Sequence, residues 1–121
     1  MFNVVLKLFP LPQQRLQMLE VLHSVQGPIQ AGPGCLACGI YTEETPEQAI
    51  LLVERWESAA ALEEHVRSGL YRRILAAIEL SSRQPEVSFD DVRATKGMEL
   101  IEQLRGYSEE IIPPLPPACP R

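Results

Sequence analysis

Residues 2–9 alternate between two faces, with Phe2, Val4, Leu6 and Leu8 on one and Asn3, Val5, Lys7 and Phe9 on the other. That period of two predicts a first strand. Pro10 and Pro12 stop it, and Pro12 suits the first turn of a helix, where its missing N–H costs nothing. Over residues 12–26 the period lengthens: Met18, Val21, Leu22 and Val25 fall at i, i+3, i+4 and i+7, with Leu16 and Leu19 beside them. Gly27-Pro28 is expected to end this helix, and Gly32-Pro33-Gly34 to turn the chain. A second strand is expected over Cys35–Thr42, followed by a polar loop containing Pro46. Residues 49–57 carry the strongest strand signal. Their register puts Ile50, Leu52, Glu54 and Trp56 on one face and Leu51, Val53, Arg55 and Glu57 on the other. Apolar residues occupy both faces, and a strand of that kind needs cover on both sides.

Ser58 can cap the next helix, whose inner side takes Leu62, His65 and Val66. Gly69 breaks it, and Leu70, Ile74, Ala77, Ile78 and Ser81 give a further helix. Pro85 marks entry to a last strand over residues 86–95. A short helix at 98–105 lies between Gly97 and Gly106, and the proline run from Pro113 reads as an extended tail, because proline feeds neither a helix nor a sheet ladder. The order β-α-β-β-α-β is the ferredoxin-like pattern of the α+β class: a four-stranded antiparallel sheet with its helices on one face. The expected division is a core domain at 1–96, a C-terminal helix at 97–106 and a proline-rich tail at 107–121. An open, solvated second sheet face conflicts with the two-sided strand at 50–56. A second copy of the sheet covers it most simply, which predicts a homodimer closing a barrel.

The chain has 121 residues, enough for one domain with a modest core. A formal charge of −5 argues against nucleic acid or an anionic membrane as partner, since both require a positive footprint. No apolar run reaches the roughly 20 residues of a membrane-spanning helix. The first residues show no basic leader, and three cysteines do not suggest a disulfide framework. A cytoplasmic protein with reduced thiols is the expectation.

The stretch from Glu54 through Trp56, Ser58 and Leu62 to His65 resembles the strand-to-helix signature of the antibiotic-biosynthesis-monooxygenase-like family: Glu-x-Trp, a short polar link, then a helix with Ala-Leu and a histidine. Leu70-Tyr71 is similar to that family's following hydrophobic-aromatic position, and Gly34-Cys35 with Tyr41 to the opening of its second strand. The resemblance spans about residues 1–95. It implies a dimeric α+β barrel with a pocket between sheet and helices in each subunit. It also implies a membership of cofactor-independent oxygenases of quinols and polyketide aromatics, haem-degrading enzymes and isomerases. The haem-degrading branch departs at one point, since its iron-ligating histidine would fall near Leu75, in a helix without histidine. Asn3 resembles the asparagine of that branch's first strand.

Among candidate residues, His65 could take a phenolic proton, because imidazole titrates near neutrality. It could equally be a half-buried histidine bonded to a carbonyl or to Glu54. Asn3 is a candidate hydrogen-bond partner for it or for the substrate. Trp56 and Tyr71 are candidate walls for a flat aromatic molecule, and Trp56 is also the natural largest core residue. Glu54 could hold His65 in one tautomer, or pair with Arg93 or Lys7 at a sheet end. Cys35 and Cys38 form a C-x-x-C at the start of a strand, where their odd separation points the thiols to opposite faces. A zinc site would need two more ligands, and neither metal nor redox use is expected. His23 sits at the edge of the first helix's stripe. Asp90 and Asp91 fall on opposite faces of their strand, which defeats a paired acid/base site.

No glycine-rich phosphate loop, Gly-x-Ser-x-Gly elbow or dinucleotide fingerprint occurs, so no bound cofactor is expected. Three readings follow. The first is a cofactor-independent monooxygenase of a small quinol or polycyclic phenol, with His65 as base and Asn3, Glu54, Trp56 and Tyr71 around the substrate. The second is a non-catalytic dimeric barrel whose pocket is filled by its own side chains. The third is an isomerase on the same fold.

Overall fold

The computed structural model describes residues 1–106. The elements follow in the order β1 (Phe2–Leu8), a 3-10 turn (Pro12–Gln14), α1 (Arg15–Gln30), β2 (Cys35–Thr42), β3 (Ile50–Trp56), α2 (Ala59–Arg67), α3 (Tyr71–Glu79), β4 (Glu86–Asp91) and α4 (Met98–Leu104). The strands form one antiparallel sheet in the order β2-β3-β1-β4. The ferredoxin-like α+β arrangement read from the sequence is therefore present. The proline tail lies outside the described residues.

One sheet face is the floor of the core. Val4, Leu6 and Leu8 of β1 stand opposite Glu54, Leu52 and Ile50 of β3, and Met18, Leu22, Val25 and Ile29 of α1 close over them with Ile74 and Ala77 of α3. The period-two pattern of β1 and β3 and the helical stripe of α1 meet here, each burying the face its spacing defines. The other face carries Val5, Val53 and Leu51 at its centre, with Asn3, Lys7 and Arg55 around them. These residues are half-buried, and no helix among the described residues covers them.

Two boundaries and one side-chain facing differ from those the sequence suggests. Helix α1 runs through Gly27-Pro28 to Gln30. Pro28 sacrifices one backbone bond in the last turn, while Ile29 extends the stripe into the core and holds that turn in place. Strand β4 ends at Asp91, because its only described partner, β1, begins at Phe2, which faces Asp91. Val66 is not buried on the inner side of α2 but 38% exposed, since the helix turns Leu62 and His65 inward instead. The Ser58 cap is present, its hydroxyl accepting the Ala61 N–H at 3.1 Å.

The turn into β2 requires glycine. Gly34 has φ +82°, and a Cβ there would lie 2.5 Å from the Ala61 Cβ of α2. Its carbonyl accepts the Glu57 N–H at 2.8 Å, which ties the turn to the end of β3. The chain at 32–34 is thereby held against the start of α2, and the two together frame the cleft described next.

Candidate functional site

Along β3 the covered face changes character between Leu52 and Glu54. Glu54 is 3% exposed and His65, above it on α2, is 7% exposed. The Glu54 carboxylate accepts the Trp56 indole N–H at 2.8 Å, and the same oxygen lies 3.2 Å from Nε2 of His65. The His65 ring stacks on the Trp56 indole with centroids 4.6 Å apart and planes 26° from parallel. Despite that approach, Nε2 of His65 is buried and makes no hydrogen bond. Tyr71 meets His65 edge-on, with ring centroids 5.3 Å apart.

Above this pair opens a cleft of ≈ 180 Å³ with an almost wholly apolar lining. Trp56 and His65 form its inner wall, and Ile29, Pro33, Ala61 and Leu70 enclose it. It joins the end of α1, the 32–34 turn, β3 and α2. The placement follows from chain topology: Trp56 ends β3, Ser58 caps α2, and His65 comes two turns later on the side that returns over the sheet.

The charge on Glu54 reaches its neighbours. Burial, and then that carboxylate, push the Tyr71 phenol above its ordinary value. Burial pushes the Cys38 thiol up to about 12, with Glu54 and Cys35 adding to the effect. Cys35 is raised as well, chiefly by burial and partly opposed by a backbone hydrogen bond at Ala37. Thiols held in this direction are poor nucleophiles.

The candidates from sequence separate into groups. His65 and Trp56 line the cleft, and Glu54 lies beneath them. Glu54 is not paired with Arg93 or Lys7; Lys7 bonds Glu43 at 3.0 Å instead. Tyr71 packs behind His65 and is not part of the cleft lining, so it does not form the wall expected of it. Asn3 is on the opposite sheet face, where its side-chain oxygen accepts from Arg55 Nε at 3.2 Å. The sheet stands between Asn3 and His65, and the expected partnership is absent.

The cysteine geometry also needs correction. Cys35 pairs with Trp56 and Ala37 with Arg55, so Leu36 is an extra residue in β2. This bulge shifts the alternation and brings Cys35 and Cys38 to the same, helix-covered face. Among the described residues no group of three His, Cys, Asp or Glu side chains is placed to hold a metal ion. His23 is exposed, as its place at the stripe's edge predicts. The residues sequence reasoning missed are those of the cleft's outer wall, Pro28 to Pro33, because a helix was expected to have ended there.

Residues 1–77 match the antibiotic biosynthesis monooxygenase family. The chain belongs to that family. Among solved structures, Rv0793 from Mycobacterium tuberculosis is 25% identical, with a TM-score of 0.72 over 79% of this chain and 98% of that one. A conserved protein from Methanosarcina mazei Go1 is 20% identical, with a TM-score of 0.71 over 76% of this chain and 92% of its own. A structure described as an antibiotic biosynthesis monooxygenase is 19% identical, with a TM-score of 0.70, covering 78% of this chain and 100% of that one. At these last two identities the likeness is one of fold. No curated protein matches the chain significantly. For this member of the antibiotic biosynthesis monooxygenase family, no described helix is long and apolar enough to cross a membrane.

Proposed function

We propose that this protein is a cofactor-independent monooxygenase of a small quinol or polycyclic phenol, working as a homodimer, with His65 as general base. The observation that carries the reading is the buried, unpartnered Nε2 of His65 at the wall of an apolar cleft, 3.2 Å from a buried carboxylate. A carboxylate beside Nε2 favours the proton there and leaves the Nδ1 lone pair to act as base. Trp56 supplies a flat wall for an aromatic ring, and the apolar lining keeps water from the reacting carbons.

In the reaction a quinol O–H gives its proton to His65, and the electron-rich anion passes electrons to O2. One oxygen atom enters the ring as a hydroxyl, the ring is left as the quinone, and the second oxygen leaves as water. The protein supplies base, orientation and a dry surface, with the quinol itself as reductant. The buried negative charge of Glu54 disfavours substrates that carry a carboxylate or phosphate into the cleft. The apolar centre of the uncovered sheet face, Val5, Leu51 and Val53, supports pairing of two sheets as the route to the dimer.

Oxygen consumption by the metal-stripped protein with hydroquinones and naphthols tests the reading. The expected result is uptake above the autoxidation blank that falls about 10²–10⁴-fold in a folded His65→Ala variant. No uptake from a folded wild-type dimer would favour a binding module, and turnover without oxygen would favour an isomerase.

A further inference from the structure

The cleft over Trp56 and His65 lies in a field of one sign. It opens at the C-terminal ends of two helices: Pro28 and Ile29 come from the last turn of α1, and Glu64, His65 and Ser68 from the last turn and cap of α2. A helix C-terminus carries partial negative charge, and the last turn of α1 has no basic residue to offset it. In α2, Arg67 is turned to Glu63 at 3.6 Å and takes no part in the lining. Two carboxylates strengthen the field, Glu54 beneath the wall and Glu64 on the rim. Among the described residues neither pairs with a Lys or Arg, and no Lys or Arg lines the cleft.

The remaining lining fits an organic cation. The cleft's ≈ 180 Å³ compares with the about 150 Å³ of a cavity that takes benzene, so it encloses one aromatic ring, and any side chain on that ring reaches the rim where Glu64 stands. The Ser68 hydroxyl, which could have held an anion, already donates to the His65 carbonyl at 2.6 Å. No three metal-ligating side chains meet among the described residues, so the field is not that of a coordinated metal ion. The formal charge of −5 acts over the whole surface, whereas these four sources converge on one opening.

We infer that the cleft selects a phenol carrying an ammonium group on a short side chain, with its ring against Trp56 and His65 and its ammonium at the rim beside Glu64 and the two helix ends. Glu64 is then a specificity-determining residue, and the charge of the substrate is what it reads. The inference rests on the proposed function for the phenol and adds the cation.

Trp56 is the chain's single tryptophan and stands in the cleft wall, so its fluorescence reports on binding. The full chain is titrated with tyramine, tyrosol and 4-hydroxyphenylacetate, monophenols of nearly one shape that are cationic, neutral and anionic at neutral pH. At low salt tyramine should bind about 3–10-fold more tightly than tyrosol, with 4-hydroxyphenylacetate weaker still, and added salt should shrink the difference. Glu64→Gln should cut the preference for tyramine by about half or more. Glu20→Gln, which removes the same charge from an exposed position on α1 outside the lining, should leave it in place. Tyrosol or 4-hydroxyphenylacetate binding as tightly as tyramine, the same loss in both variants, or no response to any of the three would overturn the inference. Oxygen uptake with uncharged hydroquinones reads the proposed reaction separately: uptake without the charge preference removes this inference alone, and the charge preference without uptake removes the reaction alone.

Discussion

The two ends of the covered face of β3 are equally buried and chemically opposite. At the start, Ile50 and Leu52 are packed between Leu8 and Leu6 of β1 and the helices, with nothing polar to satisfy. Two residues on, Glu54 and Trp56 are just as shielded but bring a carboxylate and an indole N–H that must find partners. Burial at the first end is the source of stability. At the second it costs free energy, which the Glu54–Trp56 bond offsets and which the lone Nε2 of His65 does not. A site that tolerates an unsatisfied buried nitrogen next to an apolar cleft is where chemistry should be sought, and the packed end of the same strand is not.

That contrast is sharpened by substituting at each end. Leu52→Ala should lower unfolding stability by about 2–5 kcal/mol through the cavity it leaves, while Glu54→Gln, which keeps an acceptor for the indole, should cost about 1 kcal/mol or less. Urea denaturation of both variants checks this, and similar losses would erase the difference between the ends.

The polar end should also weaken first in alkali. Cys38 has its folded value pushed from 9.0 to about 12, so between those values the folded chain binds more protons than the unfolded one. Stability is then fully present below about pH 9 and falls as the pH rises towards 12, with a slope approaching ~1.4 kcal/mol per pH unit from this group. Denaturation curves across that window should be flatter for Cys38→Ala. The same carboxylate raises Tyr71, so Glu54→Gln should bring the phenol's ultraviolet titration to lower pH.

Smaller effects probe what holds His65 over the strand. Ser58→Ala removes the cap of α2 and should cost about 1 kcal/mol in thermal or urea unfolding. His65→Leu should leave stability within about 1 kcal/mol of wild type, because the change removes an unsatisfied buried nitrogen along with the aromatic stack. A large loss on His65→Leu would make the histidine a structural residue.

Much of this contrast was legible in the sequence. Alternation over residues 2–9 and 49–57 set both strand registers, and spacing put His65 on the inner face of its helix beside Leu62. What escaped was decided by contacts between elements. Pro28 stays helical because Ile29 finds a buried site, and no local rule reports that. The bulge at Leu36 turns two thiols to one face, although uninterrupted alternation would separate them. Asn3 shares a strand with the core residues, yet its odd position sends it through the sheet to Arg55. The cleft's outer wall is built by a turn whose place against α2 depends on Gly34 meeting Ala61, a contact distant in sequence.

The central claim is that the buried pair His65–Glu54 takes a proton from a phenol held in the cleft. Its most direct test is an anaerobic absorbance titration of the protein with a naphthohydroquinone at neutral pH, where no oxidation can follow. The account predicts that the bound quinol shows the spectrum of its anion on the wild-type protein and of the neutral quinol on a folded His65→Ala variant. A neutral spectrum on the wild type, or the anion on both proteins, would contradict it.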